Sequence, residues 1–210
     1  MSIYIFDFDG TLVDSMRQWG EKMTNVLDTH GISYPSDIIK IITPLGDRGT
    51  AEYFIKKLGL DMTVNEILEL MDSYALKAYA EEIPAKEGVS ETLSELKTRG
   101  HSLNVLTASP HRMLDVCLKR LGLFSLFDNV WSCDDFNTTK SDPNIYKETA
   151  KLLGAVPSGC IFADDNINAC RTAKLAGMKV IGVFDESSAD CVSEMKQLCD
   201  EYIYKFEELL

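Results

Sequence analysis

The sequence predicts an α/β fold, in which a parallel β-sheet is sandwiched by helices and an all-helical segment is inserted after the first strand. From residue 84 onwards, short β-rich runs alternate with helical patterns of about ten to fifteen residues, which is typical of right-handed βαβ units. Residues 15–83 carry helical patterns, and we interpret the ambiguous apolar run at 38–42 as helix. We therefore expect a core domain of residues 1–14 and 84–210 and a helical domain of residues 15–83.

The first strand is predicted at residues 3–6, where an unbroken apolar run fits a central parallel strand covered on both faces. The run ends at Asp7 and Asp9, which are followed by Gly10 and Thr11. Open α/β sheets place their ligand sites at the carboxyl ends of their strands. Because burying an unpaired carboxylate is costly, two carboxylates at this point predict a compensating cation.

The inserted segment carries the boundary signals of several helices. One helix is predicted to end at Gly59, and the next begins at Thr63, which forms a capping-box pattern with Glu66. The apolar face of the first of these helices consists of Ala51, Phe54, Ile55 and Leu58. These signals favour a helical unit that packs its own apolar faces.

The core elements after the insert follow one another in a regular alternation. Pro143 at a first helical position and glycines at helix ends match the usual start and stop signals. In chain order we predict a helix ending at Gly100, a strand at 103–107, a helix at about 110–121, a short strand near 130–131, a helix opened by Asp142 and Pro143, a strand at 160–163, a helix ending at Gly177 and a strand at 180–183.

Polar side chains that can take part in catalysis or metal binding follow four of the predicted strands. They are Asp7 and Asp9 after the first, Thr107 and Ser109 after the second, Lys140 beyond the third, and Asp164 and Asp165 after the fourth. Parallel strands bring their carboxyl ends to one edge of the sheet, so these side chains are expected to converge. Their types suit phosphoryl transfer through an aspartyl phosphate, with carboxylates for Mg²⁺ and a hydroxyl and an ammonium for phosphoryl oxygens.

The string from Asp7 to Thr11, the later Thr107, the Lys140-Ser141-Asp142-Pro143 run and the paired acids together resemble the four motifs of the haloacid dehalogenase superfamily. Most members of that superfamily are Mg²⁺-dependent phosphatases. The helical insert resembles the α-helical cap of the phosphoglycolate phosphatase and β-phosphoglucomutase branch. The resemblance implies a Rossmann-like core and a cap domain within the limits given above.

The resemblance also implies roles for individual residues. Asp7 corresponds to the nucleophile and Asp9 to the general acid and base, whose backbone carbonyl also contacts Mg²⁺. Thr107 and Lys140 correspond to the groups that hold phosphate. Asp165 corresponds to a metal ligand, as does Asp7. Asp164 either binds the metal directly or contacts one of its ligands. The alternative for these two acids is a cap at a helix N-terminus.

Motif four departs from the pattern of many relatives, because Ala169 stands at a later acidic position. This leaves the division of metal binding between Asp164 and Asp165 open.

Three residues are candidates for substrate binding. Ser109 can bond phosphate or cap the helix after it. Arg48, in a predicted loop at 46–49, lies where relatives project a substrate-contacting residue from the cap, although it can equally be an ordinary exposed arginine. Trp19 is either a substrate platform or part of a core.

Composition excludes several classes of partner. The net charge of −12 argues against nucleic acid and against anionic membrane surfaces. No apolar stretch approaches the ~20 residues of a membrane span, and the N-terminus lacks the basic region of a signal peptide. The six cysteines show no C-x-x-C spacing, which favours reduced thiols. We therefore expect a cytoplasmic enzyme with a small phosphorylated substrate, and the oligomeric state stays open.

The favoured function is hydrolysis of a small phosphomonoester, and three alternatives remain. A sugar phosphomutase uses the same nucleophile, but related mutases place a histidine in the first cap segment, where this chain has Trp19. A dehalogenase needs no Mg²⁺ and has no use for Asp9. A non-catalytic binding protein with this fold would not need the complete set of reactive residues.

Overall fold

A computed structural model describes residues 1–16 and 20–210 in full and residues 17–19 by their backbone alone. The chain divides into two compact units, of which one comprises Met1–Asp14 and Pro84–Leu210 and the other comprises Ser15–Ile83. We call them the core unit and the helical unit. The role of the helical unit as a cap stays a prediction.

The helical unit contains four α-helices in its described residues: α1 (Met16–Thr29), α2 (Ile38–Ile42), α3 (Gly46–Leu58) and α4 (Val64–Glu81). The ambiguous run is therefore helix, as interpreted. The capping box of α4 is also confirmed, because Glu66 N donates to Thr63 Oγ1 at 3.3 Å and Thr63 N donates to Glu66 Oε2 at 2.7 Å. Met23, Phe54 and Ile67 are buried in the apolar cluster of this unit.

The loop predicted at residues 46–49 is wrong, because these residues form the first turn of α3. Two glycines in four residues favour a loop on propensity alone. The burial of Thr50, Ala51 and Phe54 on one face of α3 favours the helix instead. Gly49 also lies where an added Cβ would come within 2.9 Å of Leu45 Cβ, so close packing explains its small size.

The core unit contains a six-stranded sheet of β1 (Ile3–Phe6), β2 (Ser102–Thr107), β3 (Asn129–Ser132), β4 (Cys160–Asp164), β5 (Lys179–Val183) and β6 (Glu201–Ile203). The strand order is β3-β2-β1-β4-β5-β6, and every neighbouring pair is parallel. The predicted α/β fold is confirmed. All the carboxyl ends of these strands consequently lie at one edge of the sheet.

The core helices are α5 (Val89–Thr98), α6 (His111–Arg120), α7 (Pro143–Leu152), α8 (Ile167–Leu175) and α9 (Val192–Leu198). Asp142 caps α7 by accepting a hydrogen bond from Asn144 N, as its place before Pro143 indicates. No pattern described above predicts α9 or β6. Both lie beyond the last predicted strand, and β6 is only three residues long.

The sheet is held by an apolar cluster that includes Ile5, Leu106, Tyr146 and Phe162, all of them fully buried. This packing fixes the strand ends that carry the polar residues. No helix in the described part of the chain is long and apolar enough to cross a membrane. All six cysteines are free, and only Cys191 among them is not buried.

Candidate active site

Three carboxylates meet at the carboxyl edge of the two central strands. Asp7 directly follows β1, whereas Asp164 ends β4 and Asp165 follows it. Phe6 pairs with Ala163, and Asp7 N donates to Ala163 O at 2.9 Å, so the two strand ends lie side by side. One oxygen from each carboxylate lies within 4.8 Å of the others, and all three residues are buried. The predicted convergence of these acids is thus present in the fold.

Lys140 brings a buried positive charge to the same place. Its Nζ lies 2.7 Å from Asp7 Oδ1 and 2.8 Å from Asp164 Oδ2. Its backbone is held because Tyr146, on α7, donates its phenolic hydrogen to Lys140 O at 2.9 Å. One ammonium among three buried carboxylates leaves an excess of negative charge, which a cation would balance.

Burial and the excess of negative charge raise the pKa values of two of the carboxyl groups. Burial, reinforced by the charge of Asp164, raises the pKa of Asp7 to about 7. The same two causes, in the same order, raise the pKa of Asp165 well above its usual range. Burial alone would lower the pKa of Lys140, but the charges of Asp164 and Asp7 outweigh it and raise that pKa. The ionised forms of these carboxylates are therefore destabilised unless a further positive charge is present.

Asp7 Oδ1 is a buried acceptor that receives no hydrogen bond from the described residues. Its 2.7 Å contact with Lys140 Nζ is an ion pair in which the ammonium is not aligned as a donor to this oxygen. An oxygen with an open lone pair among carboxylates fits a hard divalent cation such as Mg²⁺.

Two residues of the first motif hold Asp165 in place. Gly10 has φ +74°, and a Cβ added there would lie 2.7 Å from Asp165 Oδ2, so only glycine fits. Thr11 Oγ1 donates to Asp165 Oδ1 at 3.1 Å and accepts from Asp165 N at 3.1 Å. No role is predicted for Thr11 from the sequence. Its place at the end of the Asp-Phe-Asp-Gly-Thr string is the sequence signal that could have identified it.

The two acids of motif four differ in their surroundings. Asp164 uses both oxygens, since Lys140 binds Oδ2 and Asn166 N donates to Oδ1 at 2.7 Å. Asp165 is bound by Thr11 through Oδ1 alone among the described residues. Neither acid caps the following helix, because Asn166 is the N-cap of α8 and accepts from Asn168 N and Ala169 N. The helix-cap alternative for the acids is therefore wrong.

Thr107 and Ser109 connect the second strand to Asp9. Thr107 is buried at the end of β2, and its Oγ1 accepts from Ser109 N at 3.1 Å. The hydroxyl of Ser109 donates to Asp9 Oδ2. Ser109 is not the cap of α6, because Pro110 occupies that position without a side-chain hydrogen bond. The carboxylate of Asp9 is thus directed to Ser109, outside the cluster of three carboxylates.

The family model for haloacid dehalogenase-like hydrolases matches residues 4–183, which is most of the chain and includes the strand ends described above. The chain belongs to this family. The phosphorylated carbohydrates phosphatase of Thermotoga maritima is 26% identical over 86% of this chain and 84% of its own length. Hexitol phosphatase B of Escherichia coli K12 is 27% identical over 85% of this chain and 82% of its own.

Two solved structures share the fold over the whole chain. A Thermotoga maritima protein assigned as a β-phosphoglucomutase gives a TM-score of 0.86 at 25% identity and covers 100% of this chain and 97% of its own. A predicted phosphoglycolate phosphatase from Haemophilus somnus gives a TM-score of 0.83 at 19% identity, with coverage of 100% and 96%. Because the Haemophilus somnus protein is only 19% identical, its similarity shows a shared fold and nothing about function.

Two candidate substrate-binding residues, Arg48 and Trp19, lie in the helical unit of this family member. Arg48 lies on α3 with an exposed side chain, 4.0 Å from Glu52 Oε1. The side chain of Trp19 lies outside the described residues. Substrate binding by Arg48 and by Trp19 stays a prediction.

Sequence reasoning also missed Lys86, which is mostly buried in the core unit. Its Nζ donates to the backbone carbonyls of Gly10 and Phe184 and forms an ion pair with Asp185. A lysine within a helical or loop pattern carries no signal of such contacts, because the partners are distant in sequence.

Proposed function

We propose that the protein hydrolyses a small phosphomonoester, with Asp7 as nucleophile and Mg²⁺ as the metal. The observation that carries this proposal is the buried cluster of Asp7, Asp164 and Asp165 around Lys140, in which Asp7 Oδ1 lacks a hydrogen bond. Such a cluster destabilises its own anions and is therefore suited to a site that takes up a cation and a phosphoryl group.

The proposed reaction gives Asp7 and Asp9 one role each in two steps. An Asp7 carboxylate oxygen attacks phosphorus, and the bond from phosphorus to the leaving oxygen breaks as Asp9 gives that oxygen a proton. Water then attacks the aspartyl phosphate while Asp9 accepts a proton from it. Inorganic phosphate leaves and the carboxylate of Asp7 is restored. This division replaces one difficult displacement with two easier ones.

Lys140 and Thr107 are assigned to the phosphoryl oxygens. Lys140 is already adjacent to Asp7, so its ammonium can neutralise charge that spreads over those oxygens in the transition state. Ser109 is assigned to the same site through its hydrogen bond to Asp9, which orients that carboxyl group.

Mg²⁺ would be held by Asp7, Asp165 and the backbone carbonyl of Asp9, with Asp164 either bound directly or acting through its neighbours. When bound, the ion reduces the repulsion between the carboxylate nucleophile and the phosphate. The donor set consists of oxygens alone, which is what Mg²⁺ prefers. Among the described residues, the structure brings no histidine or cysteine into the cluster.

The named relatives support a phosphorylated metabolite as substrate. Two of them are named a phosphorylated carbohydrates phosphatase and a hexitol phosphatase, and a third, from Psychrobacter arcticus, is named a phosphoglycolate phosphatase and is 27% identical. The test is turnover of a panel of sugar phosphates, polyol phosphates and phosphoglycolate, with Mg²⁺ and then with excess EDTA. Release of phosphate that survives EDTA would overturn the metal assignment.

A sugar phosphomutase is the second candidate, because the Thermotoga maritima protein assigned as a β-phosphoglucomutase has the same fold at a TM-score of 0.86. A mutase must exclude water until the aspartyl phosphate meets a substrate hydroxyl. No histidine occurs at residues 15–29, where related mutases place one. We therefore expect free phosphate from a hexose 1-phosphate given with a trace of its bisphosphate. Isomer formation that outruns phosphate release would select the mutase.

A further inference from the structure

Lys86 ties the turn of the first motif to the segment that follows β5. Its Nζ lies 2.5 Å from Gly10 O, 2.7 Å from Phe184 O and 2.9 Å from Asp185 Oδ2. The two carbonyl oxygens accept hydrogen bonds from the ammonium, and the carboxylate of Asp185 balances its charge. Lys86 is therefore engaged inside the core unit, whereas Lys140 lies beside Asp7.

The pair is built into the core rather than lying on its surface. The side chains of Lys86 and Asp185 are 18% and 5% exposed. Asp185 is fixed on its other oxygen, because Ser187 N and Ser187 Oγ donate to Oδ1 at 2.9 and 2.6 Å. A buried ion pair is retained at low cost only when its remaining donors and acceptors are satisfied, and here they are.

The backbone around Lys86 is attached to the same motif. Lys86 N donates to Leu12 O at 3.0 Å, and Val13 forms an antiparallel bridge with Ala85. Gly10 N in turn donates to Val13 O at 3.0 Å, which closes the turn after Asp9. The ammonium then holds the far side of this turn through Gly10 O. The turn is thus fixed from two directions.

This turn carries the residues on which the proposed reaction depends. Gly10 follows Asp9 directly and packs against the carboxylate of Asp165 so closely that a Cβ would not fit. A shift of the turn by an ångström would displace both groups. Misplacement on that scale can reduce turnover by about 100-fold even when no reacting group is removed.

We propose that Lys86 and Asp185 form a positioning pair, which holds the Gly10 turn so that Asp9 and Asp165 keep their places. The pair does not touch the substrate. This inference rests on the proposed phosphatase function for its kinetic readout, but its metal readout does not need turnover.

The test uses two variants that leave the net charge unchanged. Lys86→Met combined with Asp185→Asn removes the ion pair while its summed charge stays zero, and the amide oxygen that the second substitution introduces can still accept from Ser187. Lys86→Arg keeps the charge, but a planar guanidinium cannot place one donor group among three converging acceptors. Because charge is matched, a change in Mg²⁺ response reports geometry rather than electrostatics.

Two quantities are measured on folded protein, below the melting temperature of each variant. The first is kcat and KM at saturating Mg²⁺, for which we expect kcat to fall by about 10- to 100-fold while KM changes less than about threefold. The second is the Mg²⁺ concentration at half-saturation in a calorimetric binding titration, which we call the Mg²⁺ midpoint and expect to increase by about tenfold. Lys97→Met, which removes an ion pair with Asp128 on the surface of the same unit, is the control and should leave both quantities unchanged.

The outcomes separate this inference from the proposed function. A folded charge-matched variant that keeps kcat and the Mg²⁺ midpoint within about twofold of the parent would overturn the positioning role. If the parent protein responds to Mg²⁺ but turns over no phosphomonoester, the proposed function fails, and the midpoint shift alone decides the role of Lys86. If the double variant does not fold, the Lys86→Arg variant is judged by the same two thresholds.

Discussion

Asp7 Oδ1 lies 2.7 Å from the ammonium of Lys140 and yet receives no aligned hydrogen bond from the described residues. The relationship combines charge attraction with an open lone pair. A purely structural ion pair would satisfy the carboxylate with hydrogen bonds, because an unsatisfied buried acceptor costs about 1–3 kcal/mol. The unsatisfied oxygen is explained when a cation or a phosphorus atom occupies the space beside it.

The first prediction concerns the nucleophile. Asp7→Asn keeps the shape of the side chain and removes its ability to form an acyl phosphate, so turnover should fall by about 10³-fold or more. Folding should survive, since the amide also relieves a buried negative charge. Steady-state phosphate release together with a melting curve checks both statements. Substantial Mg²⁺-dependent phosphatase activity in this variant would refute the covalent mechanism.

The second prediction separates the two acids of motif four. Mg²⁺ should raise the melting temperature of the parent protein, because it binds the folded state. Asp165→Asn should weaken this rise more than Asp164→Asn, since Asp164 is already bound by Lys140 and Asn166. Titration of the melting temperature with Mg²⁺ measures both. An equal or greater loss in Asp164→Asn would make Asp164 the main ligand.

The fold and the location of the site could be predicted because their signals are local. The strand just before Asp7, the helix opened by Asp142 and Pro143, and the two acids at the end of β4 each follow from a short pattern. The topology then brings these strand ends together, because parallel strands share one carboxyl edge. Residues distant in sequence thereby became neighbours without any contact being predicted individually.

The parts that could not be predicted depend on contacts between distant residues. Ser109 is bound to Asp9, one hundred positions away, rather than to its own helix. Lys86 reaches Phe184 O across a similar separation. The helical turn at residues 46–49 depends on burial that outweighs the propensity of its two glycines. Side-chain pairing of this kind is decided by packing, which a single sequence does not display.

A third prediction concerns pH. His111 Nδ1 lies 2.9 Å from Asp115 Oδ1, and its Nε2 lies 2.9 Å from Asp135 Oδ2. The hydrogen bond to Asp115, followed by that to Asp135, raises the pKa of His111 above its usual 6.5. The folded state therefore holds the proton more tightly than the unfolded state. The resulting stabilisation is complete below about pH 6.5 and is lost as the pH rises through the raised pKa.

The measurement is the melting temperature of the parent and of His111→Gln from about pH 6 to about pH 9. The difference between the two proteins should be largest at the acid end and should shrink as the pH rises. Asp134→Asn is the control, because it removes a neighbouring charge that does not contact His111, and it should leave the slope unchanged. A difference that is independent of pH would contradict the assignment.

The last prediction tests the close approach of Gly10 to Asp165. Gly10→Ala should destabilise the protein in two ways, through the positive φ of +74° and through the contact of the new Cβ with Asp165 Oδ2 at 2.7 Å. The first effect alone costs roughly 1–2 kcal/mol. Gly154→Ala is a matched control, because Gly154 has φ +67° and an added Cβ there meets nothing within 4 Å.

Urea unfolding of both variants isolates the contact from the backbone strain. Gly154→Ala should lose only about 1–2 kcal/mol of unfolding free energy and keep its Mg²⁺ response. Gly10→Ala should lose more, and its Mg²⁺ midpoint should rise, because relief of the clash moves the carboxylate of Asp165 away from Asp7. If the two variants lose equal stability and respond equally to Mg²⁺, the glycine is required for its backbone conformation alone. In that case, the place of Asp165 does not depend on the close approach of Gly10.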